Sequence, residues 1–380
     1  MPLILGEYIN SRAIRGSIMG LDNLLAVILI PVIGTWSDRL KSPLGGRLPF
    51  LVIGMPVAAL FFILIPVVSS MSLWLLLAVD VLFLLAMTVY RAPVIALMPD
   101  HTPPKKRSTA NGVINFMGGI GALLALFALS PLYDKSKHYP FLIGGILLFL
   151  ALVLLFIVVD RRPKYVKSAL EESEEAMALQ SLKHNLGKLF HSSFRGHLFI
   201  LFAIFLYFIG YSGLEAQFTV YAYEHLGTSE ADAAFTLGFF SLSFVVFAIP
   251  AGLVGSRLGK SQTMLIGLIF LPTVFLIMPW ITSLTILKVL LFIGGIGWAL
   301  INVQAYPLVS DLGGLTKIGF FTGMYYLFSM ASSVVAPALL GLTMDVFGHP
   351  ALFYSAAISF LIAFLLLKIG MSKLKSIQIH

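Results

Sequence analysis

The chain has 380 residues, of which 59% are hydrophobic and 11% charged, the charged share being about half that of an ordinary globular domain. Most of such a chain is excluded from a water-soluble fold, and the absence of cysteine excludes disulfides and thiolate metal sites. The formal charge of +8 would suit nucleic acid or another anionic partner, but its distribution along the chain indicates membrane topology instead.

Eleven apolar runs are long enough to cross a membrane, since a hydrocarbon core of about 30 Å takes about 20 helical residues. They lie near Gly16 to Trp36, Leu48 to Val68, Leu73 to Met98, Asn111 to Leu132, Pro140 to Val159, His197 to Tyr223, Ala231 to Val254, Thr263 to Ile281, Leu284 to Val309, Ile318 to Val346 and Pro350 to Ile369. The expected fold class is therefore all-α transmembrane. Met1 to Gly6 is too short for the hydrophobic region of a cleavable leader.

The loops between these runs alternate in charge. One set holds Arg39, Lys41 and Arg47, then Lys105, Lys106 and Arg107, the basic residues between Arg161 and Arg195, Arg257 and Lys260, Lys317, and finally Lys368, Lys373 and Lys375. The opposite set holds only Arg12, Arg15, Lys135 and Lys137. The positive-inside bias places the first set in the cytoplasm, which puts the amino terminus of this chain outside and the carboxyl terminus inside a multi-pass cell-membrane protein.

Asp160 to Arg195 is the one long polar stretch. It separates an amino-terminal helical half of five spans (1–160) from a carboxyl-terminal half of six (196–380), with 161–195 as a cytoplasmic linker. Within it, Ala169 to Phe190 has helical amphipathic spacing, and the acids Glu171, Glu172, Glu174 and Glu175 read as a solvated face. The halves repeat one another. Gly34, Arg39, Asp100 and Gly112 recur as Gly252, Arg257, Asp311 and Gly323, with 12 residues from Asp to Gly in both. Arg39 is preceded by 38 residues whereas Arg257 lies 61 beyond Gly196, a difference of 23, which is the length of one spanning helix. The repeat implies two six-helix units, the first helix of the first unit being absent from this chain and Met1 to Leu5 standing as its stub.

After Gly34 the first cytoplasmic loop reads Ser37-Asp38-Arg39-Leu40-Lys41-Ser42-Pro43-Leu44-Gly45-Gly46-Arg47-Leu48-Pro49-Phe50. This resembles the loop signature of the major facilitator superfamily, and more narrowly the longer form of sucrose-type and glycoside-pentoside-hexuronide:cation symporters. The chain departs from that form at Gly46 and Leu48, where arginines are usual. Tyr90-Arg91-Ala92-Pro93 with Ala96, Leu97 and Asp100 is similar to the end of the fourth helix of sucrose-type carriers, and Asn302, Tyr306 and Pro307 extend the likeness to the tenth. The resemblance implies a major facilitator fold whose halves rock about a midplane site, since parallel repeats mark that fold.

The loop chemistry stands apart from the family name. Asp38 beside Arg39 and Arg47, with Asp100 at the next cytoplasmic helix end, can form charge-assisted bonds that shut a cytoplasmic gate. A topology signal would need the basic residues but not the acid.

Ionisable residues inside spans are costly and therefore informative. Five occur: Asp22, Asp80, Arg91, Glu215 and Lys288. At about 1.5 Å per residue, Asp22, Asp80 and Glu215 each lie roughly 10 Å from the outer end of their runs, a depth that suggests one shared aqueous cavity and makes them the cation-coupling candidates. Asp22 pairing with Arg12 or Arg15 as an outer gate is the alternative. Asp80 and Arg91 fall on one helical face, and Arg91, with its fixed fork of donors, is the first candidate for substrate contact. Lys288, near a helix end, is expected to snorkel. Tyr90, Tyr211, Gln217, Trp298, Asn302, Gln304 and Tyr306 supply the amides and ring faces that suit a sugar.

The histidines fall in loops or at helix ends with no paired ligand spacing, so neither a metal site nor an enzyme is expected, and no cofactor. The resulting expectation is a small-molecule carrier in the lipid bilayer: a sugar symporter coupled to H⁺, with Na⁺ the other coupling ion. A multidrug or lipid exporter of the same fold is the main alternative and a non-transporting membrane receptor the other.

Overall fold

A computed structural model describes residues 1–40, 42–103, 107–161, 195–312 and 318–378. The expected linker helix and its acidic run lie outside these residues. The first half has a short helix α1 (Pro2–Gly6), then α2 (Arg12–Arg39), α3 (Leu48–Val68) and α4 (Leu73–His101). It continues as α5 (Arg107–Leu123), one π-helical stretch (Leu124–Leu129), α6 (Ser130–Lys135) and α7 (His138–Val158). The second half has α8 (Arg195–Leu226), α9 (Glu230–Leu258), α10 (Lys260–Ile277), α11 (Leu284–Leu312), α12 (Ile318–Phe347) and α13 (Ala351–Gln378).

Eleven of the described segments are long and apolar enough to span a membrane, as the runs of apolar residues predict. Helices satisfy their own backbone hydrogen bonds, which is what a chain in hydrocarbon requires. Several continue through proline. α4 carries Pro93 and Pro99 without a break between Leu73 and His101, so Pro93 does not open the helix as its missing donor alone would suggest.

By contact the chain divides into two compact units, one comprising Met1–Gly20 with Ala169–His380 and the other Leu21–Ser168. One helix, α2, contributes to both. Within Leu21–Ser168, α3 packs on α4 and α7. Within the other unit, α10 packs on α11 and α13, the same relation among the repeated elements, while α8 lies against α12 and α13 and α9 against α11. The core of this unit is built from residues such as Tyr207, Phe218, Leu271, Phe275, Phe353 and Phe360. The first-half counterparts of α12 and α13, namely α5–α6 and α7, are the least buried of the spans. In the second half it is α8 that covers the corresponding helices; in the first, the described segment before α2 is the single turn α1, with Ile4 and Leu5 buried.

The repeat extends to a pair of salt bridges. Arg47, at the N-cap of α3, lies 2.9 Å from Asp100 at the end of α4. Lys260, the first residue of α10, pairs with Asp311 at the end of α11. A glycine with positive φ stands two residues before Arg47, Gly45 at +85°, and one before Lys260, Gly259 at +91°, conformations a side chain resists. The turn that aims the cation is thus repeated along with the acid that receives it.

Candidate functional site

The structure brings the charged residues of the first half together across α2 and α4. The Arg91 guanidinium lies 3.7 Å from the Asp22 carboxylate, with the two side chains 39% and 33% exposed. Asp80 is 7% exposed on the same helix as Arg91, close enough to Asp22 for the two carboxylates to repel. The counterion of Arg91 is therefore Asp22, on a helix the linear spacing could not choose. Tyr90, one residue earlier, packs with Leu48, Leu51 and Met55 of α3, where Gly54 gives its Cβ room, and its phenol stays close enough to Arg91 and Asp22 to feel both charges.

Glu215 stands in the other unit, on α8, one turn from Tyr211, whose hydroxyl is near enough to interact with its carboxylate. Tyr211 stacks on Trp298 of α11 with ring centroids 3.9 Å apart and an interplanar angle of 5°. Phe208 and Tyr325 extend this aromatic face, and Tyr306, 39% exposed, meets Tyr325 edge-on. Asn302 is half-buried one turn before Tyr306. The depths of the three acids differ from expectation because α2 and α8 begin and end about a turn outside their apolar runs. Asp22 lies ten residues inside α2, Asp80 seven inside α4 and Glu215 eleven from the end of α8.

Two expected substrate ligands are occupied elsewhere. Gln217 is fully buried and its amide donates to the Pro337 carbonyl at 2.8 Å and the Arg12 carbonyl at 3.3 Å. Gln304, 4% exposed, donates to the Ala251 carbonyl at 2.9 Å and fills the space beside Gly255. Both amides tie helices together; a buried amide must find partners, and backbone carbonyls lay nearest. Lys288 sits over the Phe235 ring at 5.2 Å.

At the loop between α2 and α3, Arg47 bonds to Asp100 and to the Ser37 hydroxyl at 2.5 Å. Asp100 is 4% exposed, and a carboxylate so placed needs its cation. Arg39 is exposed. The Asp38 side chain lies outside the described residues.

Arg12 and Arg15 do not pair with Asp22. Arg12 reaches Glu224 at 2.6 Å and Asp345 at 3.2 Å, and Arg15 reaches Glu224 at 2.8 Å. Sequence reasoning missed Glu224, Asp345 and His349. The available signal was that two acids at the ends of apolar runs, Glu224 and Asp345, fall on the same side as the two arginines when the runs are taken to alternate in direction.

Membrane-spanning helices in two related sets, with charged groups held inside the spans, define a secondary-transporter architecture. The chain belongs to the Major Facilitator Superfamily, which it matches over residues 1–229 and 200–375, and is a transporter of that family. It is 25% identical to the class H tetracycline resistance protein of Pasteurella multocida, over 78% of this chain and 72% of that one. It is 24% identical to the isoprimeverose transporter of Lactiplantibacillus pentosus, over 68% of this chain and 55% of that one. Among solved structures, a point mutant of the nucleoside transporter NupG superposes with a TM-score of 0.75 at 15% identity, covering 98% of this chain and 94% of that one. A bacterial homolog of the human lysosomal transporter Spinster superposes at 0.71, also at 15% identity, covering 98% and 92%. Likenesses at this identity concern the fold.

Proposed function

We propose that the protein is a cation-coupled sugar symporter, with the proton as the coupling ion, working by alternating access. The observation that carries this reading is the Asp22–Arg91 pair with Asp80 beside it. The contact is long, 3.7 Å, and the guanidinium stays 39% exposed, so Arg91 retains donors for the oxygens of a polyhydroxylated solute. A substrate that draws Arg91 toward itself leaves Asp22 without its cation while the Asp80 carboxylate still repels it, and a carboxylate in that position holds a proton more readily. Occupancy and protonation are thereby linked, which is what symport requires. Glu215 with Tyr211, Asn302 and the exposed Tyr306 offers amide, carboxylate and ring faces of the kind sugars use. The 24% identity to an isoprimeverose transporter and the resemblance of the first loop to that of sucrose-type carriers are the grounds for reading the solute as a sugar.

A second reading has its own support. Tetracycline resistance proteins of classes H, D and B are relatives at 24–25% identity, and an aromatic face with one acid also suits a drug carried outward. Uptake into reconstituted vesicles decides between them. With labelled sugars, isoprimeverose included, and imposed H⁺ or Na⁺ gradients, the symport reading expects accumulation that collapses with a protonophore. At least one of Asp22→Asn, Asp80→Asn and Glu215→Gln then keeps exchange while losing accumulation, since an amide imitates the protonated acid. Full accumulation by all three excludes them as the coupling site. Proton-driven movement of tetracycline with no sugar uptake establishes the second reading.

A further inference from the structure

The outer end of α2 is fastened by a compact ionic cluster. Asp345 of α12 accepts from the backbone N–H of Arg12 and of Ala13, both at 3.1 Å, and from the Ser11 hydroxyl at 2.8 Å. A carboxylate on another helix thus serves the free donors at the start of α2, where the helix dipole favours an anion. Arg12 adds its Nη1 to Asp345 and gives Nε and Nη2 to Glu224 of α8 at 2.8 and 2.6 Å. Arg15, 3% exposed, adds a further bond to Glu224. Two arginines therefore face two carboxylates.

His349 closes the cluster. It sits in the tight turn between α12 and α13, set by Gly348 at φ +84°. Its Nε2 lies 2.6 Å from Arg12 Nη2 and 3.2 Å from Glu224 Oε2. A guanidinium only donates, so Nε2 must present a lone pair to Arg12 and the ring must be neutral. His225 of α8 stacks on it with centroids 5.3 Å apart, and the first turns of α13 bring no charge.

We propose that this cluster is a proton-operated latch, in which a proton bound at His349 Nε2 releases the outer end of α2 from α8 and α12. The proton takes the lone pair that accepts from Arg12, so the bond becomes a contact between two cations. The cluster passes from two positive against two negative groups to three against two. His349 turns its new N–H to Glu224 and competes there with Arg12. Burial and the Arg12 charge hold the His349 pKa below its ordinary value. The fastened state therefore binds fewer protons than the released one. Its stability is complete above the ordinary imidazole value of about 6.5 and is lost as pH falls below it.

The absence of cysteine makes the test direct. Ile14→Cys and Phe347→Cys, at exposed positions on α2 and α12, carry spin labels in nanodiscs with no substrate and no gradient, so the outcome is independent of what the protein carries. Between pH 8 and pH 5 a longer-distance population should grow, by about tenfold for each unit by which the fastened state lowers the His349 pKa. His349→Gln, whose amide oxygen still accepts from Arg12, should keep the short distance throughout, and His225→Gln should retain the shift. An unchanged distance in the parent chain, or an equal shift in His349→Gln, overturns the proposal.

Discussion

Arg91 is the residue on which the substrate proposal turns, and its geometry gives a sharp expectation. Arginine can bracket two oxygens with a planar fork, whereas a lysine ammonium is a compact point charge. If Arg91 contacts substrate, Arg91→Lys fails nearly as badly as Arg91→Ala, losing a charged hydrogen bond of about 1.5–3 kcal/mol, or about 10- to 150-fold in affinity. If it serves only as counterion to Asp22, lysine replaces it well. Equilibrium binding on both variants at matched expression separates the outcomes, and near-normal binding by Arg91→Lys removes the direct-contact assignment. The charged residues inside spans were legible in the sequence because hydrocarbon makes each of them expensive. The amides were not: Gln217 and Gln304 look the same in sequence whether they face a cavity or a neighbouring carbonyl, and here the carbonyls of Pro337, Arg12 and Ala251 claimed them.

At the scale of the element, the seating of α2 on α12 depends on two glycines. A Cβ on Gly16 would meet the Pro337 carbonyl oxygen and one on Gly20 that of Val334; the obstacle is backbone and cannot turn aside. Gly341 makes the reciprocal approach, since a Cβ added to it would lie 2.5 Å from the Arg12 carbonyl oxygen. Small residues where helices cross are how membrane helices reach close packing. Gly20→Val should therefore cost stability of the order of 1–3 kcal/mol by overpacking, read as a lower melting temperature in detergent. Gly34→Val is the control, since its Cβ meets nothing within 4 Å and should leave the melting temperature close to that of the parent. Equal effects at both positions would show that backbone flexibility, and not the crossing, is what these glycines provide.

Over the whole molecule, orientation is the property that the charge pattern predicts. In a chain without cysteine, single cysteines at Tyr8 and Ser256, both exposed, report sidedness to a membrane-impermeant maleimide on intact cells. The positive-inside distribution expects Tyr8→Cys to label from outside and Ser256→Cys only after permeabilisation; the reverse pattern would overturn the proposed topology and with it the assignment of the latch to the outer face. The spans and the two-fold repeat were readable from sequence because lipid imposes its demand locally. Any stretch of about 20 residues must by itself be apolar and helical to cross, and each half must meet that demand again with the same loop chemistry. What only the tertiary structure decided was the choice of partners. Arg12 finds Glu224 and Asp345 at separations of 212 and 333 residues, and Arg91 finds Asp22 on α2 while Asp80 shares its own helix. Charges buried in a low-dielectric interior must be paired, but the need for a partner carries no information about which helix will bring one alongside.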